Sequence, residues 1–279
     1  MTTVVFGARG NVGRHVAAGL VERGVPVRPT SREPNPADFP PHARIVAADL
    51  ERPDTLPAAL EGADRVFLYA KPDGIEDFVA AAEAAGVRRV VLLSSGAVLQ
   101  ADAEKNPIAR MHRTVESAIE TSGLEWTFLR AGMFATNTLW WWQRSIREEG
   151  VVRLPYPEAR TAPVHERDLA ALAVTALTEP GHERHAYSVY GPAGLSLRQQ
   201  VEHIGAAIGR EVAVEAISVD RARAELSETM PAIGVEAVLA GWQAGTTAPP
   251  EVSAVVEEVT GRPGRTFAQW AMDHAHDFR

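Results

Sequence analysis

The sequence contains no cysteine among its 279 residues. This absence excludes a disulfide scaffold, cysteine-ligated zinc, iron–sulfur ligation and a thiol nucleophile. A chain of this length can nevertheless bury most of its apolar surface without such crosslinks. At about 100–200 residues per domain, it forms one large domain or two unequal ones.

Positive charge and long apolar runs are also scarce. The 28 Lys and Arg residues face 36 Asp and Glu, for a net charge of −8. Binding to nucleic acid through phosphate neutralisation is therefore not expected. No run approaches the ~18 consecutive apolar residues of a membrane span, and no basic leader precedes an apolar stretch. We expect a cytoplasmic protein with no nucleic-acid or membrane partner.

Two further classes of site lack their signatures. The nucleophile elbow of serine hydrolases, Gly-x-Ser-x-Gly, does not occur. His182, His185 and His203 show no coherent metal spacing with carboxylates, so no metal site is predicted.

Short apolar runs alternate with helix-length segments in the first half of the chain. The runs at 3–6, 66–68 and 90–93 are continuously apolar, as in strands buried on both faces of a parallel sheet. Helical patterns near 74–85 and 107–122 separate them. This repetition predicts an α/β fold, a Rossmann-type doubly wound parallel sheet.

The alternation of strand and helix patterns ends later in the chain, and helical patterns dominate from Leu195 onward. We therefore predict a nucleotide-binding domain at 1–190, with an excursion at about 132–160, and a smaller, mostly helical substrate lobe at 191–279.

A glycine-rich turn directly follows the first predicted strand and opens the first helix. It consists of Gly7, Ala8, Arg9, Gly10, Asn11, Val12 and Gly13. Gly7 permits a tight turn, Gly10 lets the backbone approach a diphosphate, and Gly13 allows close packing of helix on strand. The spacing Gly-x-x-Gly-x-x-Gly is a variant of the dinucleotide-binding pattern. A tight turn with no ligand is the alternative.

The end of the second strand bears on the choice of cofactor. An NAD site places a carboxylate there, but this chain has Thr30, Ser31 and Arg32, with no carboxylate before Glu33. An arginine beside small hydroxyls suits a 2′-phosphate, and Arg9 is a second candidate contact. We predict NADP(H) over NAD(H), without excluding NAD(H). A solvated loop arginine is the alternative for Arg32.

Other strand ends supply further candidates, because ligands of open α/β sheets bind at the carboxyl edge. Asp49 and Leu50 are predicted to lie by the adenine, with local turn capping as the alternative for Asp49. Ala70 and Ser94 complete the predicted cofactor residues, and Ser95 is placed near the reacting groups. Either serine hydroxyl has a simpler alternative, the satisfaction of backbone groups at the strand end.

Several segments together resemble the NmrA-like branch of the atypical short-chain dehydrogenase/reductase superfamily. The resemblance runs in order along essentially the whole chain, through the segments 7–13, 49–50, 94–95, 112–116, 122–130, 132–137, 164–170, 190–196, 259–263 and 266–270. It implies an NAD(P)-binding domain with a small C-terminal lobe. Members of the family include quinone and triphenylmethane-dye reductases, and also regulators that bind the cofactor without catalysis.

One departure concerns the Tyr-x-x-x-Lys pair of typical short-chain dehydrogenases. Ile108 stands at the tyrosine position and His112 at the lysine position. Histidine at this place resembles the quinone and dye reductases, whose conjugated acceptors delocalise charge after hydride transfer. His112 is then a candidate for contacting the nicotinamide ribose or relaying a proton. A helix-surface histidine is the alternative.

The predicted substrate residues are aromatic and apolar. Trp140, Trp141 and Trp142 cannot share one helix face, since neighbours lie ~100° apart. They are candidates for the wall of a flat substrate, with lobe core or a homodimer interface as the alternative. The family resemblance places Met133, Phe134 and Asn137 beside the nicotinamide, with Asn137 grouped with His112 and Ser95 as catalytic.

The resulting hypothesis is an NADPH-dependent reductase of a quinone-like or other conjugated, apolar small molecule. Two alternatives stay open. One is a non-catalytic NADP(H)-binding redox sensor, and the other is a biosynthetic enzyme that uses the same fold for dehydration or rearrangement.

Overall fold

A computed structural model gives the fold and describes residues 2–35 and 45–279. The strands are β1 (Thr2–Val5), β2 (Val27–Ser31), β3 (Val46–Ala47), β4 (Ala63–Tyr69), β5 (Arg89–Ser95), β6 (Glu125–Ala131), β7 (Val151–Leu154), β8 (Arg160–Thr161), β9 (His185–Val189), β10 (Leu195–Ser196) and β11 (Ala213–Ala216). The α-helices are α1 (Gly13–Glu22), α2 (Leu56–Leu60), α3 (Ile75–Ala84), α4 (Pro107–Glu120), α5 (Asn137–Glu149), α6 (Glu166–Thr178), α7 (Leu197–Ile208), α8 (Val219–Ser227), α9 (Ala232–Ala244), α10 (Val255–Thr260) and α11 (Phe267–Asp273).

Seven strands form one sheet in the order β3-β2-β1-β4-β5-β6-β9. Every pair of neighbours in it is parallel. The strand order reverses at β1, which lies between β2 and β4, and ligands of such sheets bind outside the carboxyl ends of the strands at this reversal. The predicted Rossmann-type α/β fold is confirmed.

The chain divides into two compact units. The first contains the residues up to Ala131, together with Glu166–Val189 and Val255–Arg262, and the second contains the rest. The sequence-based boundary near residue 190 does not capture α10, which lies within the span assigned to the lobe but packs on α6 and β9 of the first unit.

The first unit has its core between the sheet and its covering helices. Val4, Val66, Val90 and Phe128 come from four adjacent strands and are completely buried. Phe78 of α3 packs edge-on against Phe6 with ring centroids 5.6 Å apart. Continuous apolar runs in the sequence thus correspond to strands covered on both faces.

The second unit is mostly helical, with two short two-stranded sheets, β10-β8 and β11-β7. Its core is aromatic: Trp142 of α5, Trp242 of α9 and Trp270 of α11 are each at most 3% exposed. Within the described ranges, no helix combines the length and apolar character needed to cross a membrane.

Gly74 caps α3 with φ = 79°, and a Cβ there would overlap the carbonyl oxygen of Leu50. Gly62 also has positive φ (64°), but a Cβ there meets nothing within 4 Å. We expect Gly62→Ala to lower the free energy of unfolding by about 1–2 kcal/mol, the left-handed backbone cost alone. Gly74→Ala should cost more than twice as much, because the loop that carries Asp49 must also move. Chemical denaturation measures both free energies of unfolding. Equal losses in the two variants would contradict the close approach of Gly74 to the Leu50 carbonyl oxygen.

Candidate cofactor and substrate site

The glycine turn connects β1 to α1 at the point where the strand order reverses. Gly7 has φ = +66°, and its carbonyl oxygen accepts a hydrogen bond from the Gly10 N–H at 2.8 Å. A Cβ at Gly13 would overlap that same oxygen. Only glycine therefore lets α1 begin this close to the strand end.

This turn fits the diphosphate of a dinucleotide. The first N–H groups of a helix have no partner within the helix, and the helix dipole adds partial positive charge at the same end. Arg9, Gly10 and Asn11 are exposed on the turn, whereas Val12 is buried and anchors the start of α1. A Cβ at Gly13 would push α1 away from the end of β1, so the geometry of the turn requires glycine at this position.

Tyr69, at the end of β4, forms the wall of this turn. Its Cδ1 lies 3.0 Å from where a Cβ of Gly7 would stand. Burial raises the pKa of the Tyr69 phenol; the cations Lys71 and Arg32 oppose this rise, and the carboxylate of Asp49 adds to it. Charged groups from the ends of β2, β3 and β4 therefore all act on the pKa of this one phenol.

The hydroxyls predicted at the end of β2 have partners within the unit. Thr30 is 1% exposed and donates to the Val5 carbonyl at 3.2 Å, and Ser31 donates to the Glu33 carbonyl at 3.0 Å. Arg32 is exposed. Of the three predicted residues Thr30, Ser31 and Arg32, Arg32 is thus the exposed one, and the cofactor role of Thr30 and Ser31 stays a prediction.

The loop after β3 is held by its own contacts. Asp49 Oδ1 accepts the Glu51 N–H at 3.2 Å, which is the turn-capping arrangement, and Leu50 is fully buried. Lys71, two residues after Tyr69, forms a 2.8 Å ion pair with Glu51. Ala70 lies half-buried between Tyr69 and Lys71.

The two serines that end β5 have different environments, because successive strand residues point to opposite faces of a sheet. Ser94 is 2% exposed and donates to Glu116 Oε1 at 2.7 Å. Ser95 is half-buried, and its Oγ accepts the Ala97 N–H at 3.2 Å, which leaves its proton for another acceptor.

His112 lies on α4 and is partly buried. Burial lowers the pKa of the imidazole, and the nearby Glu116 carboxylate only partly offsets this. The ring is therefore neutral at pH 7. Its Nδ1 is buried and has no hydrogen-bond partner within the part of the chain that the structure describes.

The three consecutive tryptophans diverge around α5, as helical geometry requires. Trp142 is 2% exposed and belongs to the core of the second unit, whereas Trp140 is 64% exposed. Trp141 packs edge-on against Trp242, with ring centroids 5.3 Å apart. Trp140, Trp141 and Trp242 line a groove of about 330 Å³, while Arg144, Arg153 and three glutamates contribute charge to its rim.

Met133 and Phe134 precede α5 and are joined to Val164. Phe134 forms an isolated bridge with Val164, whose N–H donates to the Met133 carbonyl at 2.8 Å. Asn137 is the first residue of α5. These residues are not among those that line the tryptophan groove, so the predicted substrate residues fall into two groups within the second unit.

The structure brings together the glycine turn, Arg32 and Asp49, and it adds two residues that sequence reasoning missed, Tyr69 and Lys71. Both come at the end of β4, so the rule that placed Ser94 and Ser95 at a strand end would have found them. No group of three or more potential metal ligands occurs in residues 2–35 and 45–279.

The comparison with protein families agrees with this geometry. A family model described as NAD(P)H-binding matches residues 7–180. The chain belongs to this NAD(P)H-binding family. The match begins at Gly7 and includes the serines at the end of β5 and the helix α4.

Two curated relatives match over nearly their full length. A (4-alkanoyl-5-oxo-2,5-dihydrofuran-3-yl)methyl phosphate reductase from Streptomyces griseus is 41% identical, covering 99% of this chain and 98% of that protein. An NAD(P)H azoreductase from Xenophilus azovorans is 37% identical over the same shares. Both are reductases, and the prediction that this chain is an oxidoreductase is confirmed.

Solved structures show the same fold. A triphenylmethane reductase from Citrobacter sp. superimposes with a TM-score of 0.80 at 21% identity, covering 99% of both chains. An NADPH-dependent quinone oxidoreductase from Escherichia coli, in complex with NADPH, also gives 0.80, at 24% identity and full coverage.

The tryptophans give a direct test of core against surface. Trp142→Ala should lower the free energy of unfolding by about 3–5 kcal/mol, because it empties a packed core position. Trp140→Ala should change it by no more than about 0.5 kcal/mol. Denaturant titrations measure both, and similar losses for the two variants would contradict the orientation of α5.

Proposed function

We propose that this protein is an NADPH-dependent reductase that delivers hydride to a conjugated small molecule. The observation that carries the proposal is the 41% identity, over 99% of the chain, to a reductase named for an unsaturated five-membered lactone. The glycine turn supports the cofactor part of the proposal, because the absence of a Cβ at Gly13 lets α1 begin directly at the end of β1, where its N-terminus can receive a diphosphate.

Different residues of the first unit bind different parts of the cofactor. Gly7, Gly10 and Gly13 bind the diphosphate through backbone groups and the start of α1. Asp49 and Ala70 border the adenosine, whereas the fully buried Leu50 belongs to the core of the unit. NADPH supplies the hydride when bound, so the chain needs no strong acid or covalent nucleophile of its own for that step.

Arg9 and Arg32 favour NADPH over NADH. Both side chains are exposed, one on the glycine turn and the other at the end of β2. A guanidinium group forms charge-assisted, often bidentate hydrogen bonds with a phosphate. The E. coli quinone oxidoreductase, which shares the fold, is described as NADPH-dependent.

The acceptor is a conjugated system rather than an isolated ketone. The reductase from S. griseus is named for a lactone whose ring double bond is conjugated with carbonyl groups, and the second relative is named for azo reduction. Ile108 and His112 occupy the positions of the usual tyrosine and lysine. A conjugated acceptor spreads the charge that a protonated tyrosine would otherwise neutralise, so orientation and exclusion of water carry the reaction.

His112 acts as a neutral imidazole in this proposal. Its pKa is lowered by burial, and its Nδ1 is enclosed, so Nε2 is the ring nitrogen that contacts the cofactor or the acceptor. The Ser95 hydroxyl donates a second hydrogen bond.

The proposed acceptor contacts come from the segment 133–141. Asn137 fixes a polar group of the acceptor, and Met133 and Phe134 provide apolar surface. The exposed faces of Trp140 and Trp141 border a flat substrate. Trp142 acts from the core by holding α5 in place.

The direct test is steady-state NADPH oxidation with a panel of an unsaturated lactone, a para-quinone and an azo dye. We expect at least one acceptor to accelerate oxidation. His112→Gln should retain cofactor binding and lose about tenfold or more in kcat. Wild-type kcat should stay level from pH 7 to 8.5, because His112 is already neutral there, and should fall below pH 6.5 as the ring protonates.

If NADPH binds but no acceptor accelerates its oxidation, the reductase proposal is wrong. A partner protein captured at a level that follows the NADP⁺/NADPH ratio would then favour the sensor.

Cofactor preference gives a separate prediction. Arg32→Ala should raise the Kd of NADPH by about tenfold or more, since it removes a charge-assisted contact, and should leave the Kd of NADH unchanged. Arg52→Ala is the matched control, because Arg52 is a solvent-exposed arginine of the same unit, paired with Asp54. Fluorescence titration measures each Kd, and parallel changes for both cofactors would contradict a 2′-phosphate contact.

A further inference from the structure

Glu116 is a completely buried carboxylate on α4 that receives hydrogen bonds at both oxygens. Oε1 accepts from Ser94 Oγ at 2.7 Å and from Arg130 Nε at 3.0 Å. Oε2 accepts from Arg130 Nη2 at 2.8 Å and from Arg113 Nη1 at 3.1 Å. A carboxylate offers about four lone-pair sites, so this set of donors occupies it fully.

The donors come from two adjacent strands as well as from the helix itself. Ser94 of β5 and Arg130 of β6 are direct partners in the register of the parallel pair, and both reach Glu116. The two guanidinium bonds from Arg130 fix orientation as well as distance. Glu116 thus ties α4 to the carboxyl ends of β5 and β6, the edge at which ligands of this fold bind.

Two residues of the proposed reaction lie on α4 and β5, the elements that Glu116 connects. His112 precedes Glu116 by four residues and so lies one turn away on the same helix face. Ser95 follows Ser94 directly on β5. A shift of α4 relative to β5 would therefore displace the His112 imidazole relative to the Ser95 hydroxyl.

The charge of Glu116 also acts on His112. Burial lowers the pKa of His112, and Glu116 raises it in opposition. The elements packed on α4 carry other charges, Glu76, Asp77 and Glu83 on α3, Arg89 on β5, and Glu125 and Arg130 on β6. Among the charged groups of the described residues, the Glu116 carboxylate is the one that shifts the pKa of the His112 imidazole.

We propose that Glu116 is a positioning residue, which holds α4 against the ends of β5 and β6 and so sets the placement of His112 and Ser95. The effect on turnover rests on the proposed function. The anchoring itself is measurable without cofactor or acceptor.

Glu116→Gln and Ser94→Ala test the proposal. Glutamine keeps the size of Glu116 but removes its charge and turns an amide N–H₂ toward arginine donors. Ser94→Ala removes one donor and leaves the ion pairs in place. Glu120→Gln is the matched control, because Glu120 lies on the same helix and accepts from Arg113 at 2.8 Å without being buried.

The first readout is the NMR titration of the His112 ring, assigned with the His112→Gln variant. In Glu116→Gln the titration midpoint should fall by up to about one pH unit, because an attracting carboxylate is lost. Turnover should fall about tenfold or more, while the Kd of NADPH changes less than about threefold. Ser94→Ala should lower turnover less than Glu116→Gln does. Glu120→Gln should leave the His112 titration midpoint, turnover and the Kd of NADPH unchanged.

Glu116 has only a role in fold stability if folded Glu116→Gln leaves both the His112 titration and kcat unchanged. An equal loss in kcat and in NADPH affinity would also overturn the proposal, since it indicates general loosening. If Glu116→Gln does not fold, Ser94→Ala decides, and unchanged kcat in that variant counts against positioning. If the wild type reduces no acceptor, the proposed function fails, and the NMR titration still tests the anchoring.

Discussion

The approach of the Gly13 backbone to the carbonyl oxygen of Gly7 is the constraint on which the cofactor unit depends. Because no Cβ intervenes, α1 starts directly at the end of the central strand β1. The helix dipole of α1 therefore points to the place where the strand order reverses. Tyr69 closes one side of this turn, and Arg9 and Arg32 bring positive charge to a protein whose net charge is −8.

A second constraint acts at the other strands of the same edge. The carboxyl ends of β5 and β6 carry Ser94 and Arg130, and Glu116 binds both. Removing one partner of such a buried ion pair leaves a charge without compensation, which is costly. Burial alone would raise the pKa of the Glu116 carboxyl, but the hydrogen bonds from Arg130 and Ser94 outweigh it and hold that pKa below its ordinary value. The helix carrying His112 is therefore held by an ionised group at neutral pH.

The sequence was sufficient to predict the parallel sheet, the glycine turn and several helices. Continuous apolar runs and a Gly-x-x-Gly-x-x-Gly spacing are local patterns, and they matched β1, β4, β5 and α1. Asn106 before Pro107 shows why α4 was also predictable, since its side chain accepts from the Ile108 N–H at 2.9 Å. The predicted start at 107 agrees with that cap.

Other features depend on contacts between distant parts of the chain. The Glu116 cluster joins residues from positions 94, 113 and 130, and none of these reveals the others locally. The orientation of Trp142 toward the core depends on α7, α9 and α11, and α10 returns to the first unit without any signal in composition. The assignments of Asn137, Met133 and Phe134 to the substrate remain predictions.

The central claim is that the chain uses NADPH for hydride transfer to a conjugated acceptor. The most direct measurement is single-turnover oxidation of bound NADPH that carries deuterium at one or the other face of the nicotinamide C4 position, with an unsaturated lactone or a quinone as acceptor. The account predicts that deuterium at one face slows the reaction and that deuterium at the opposite face does not. Equal rates for unlabelled NADPH and both labelled forms would contradict it.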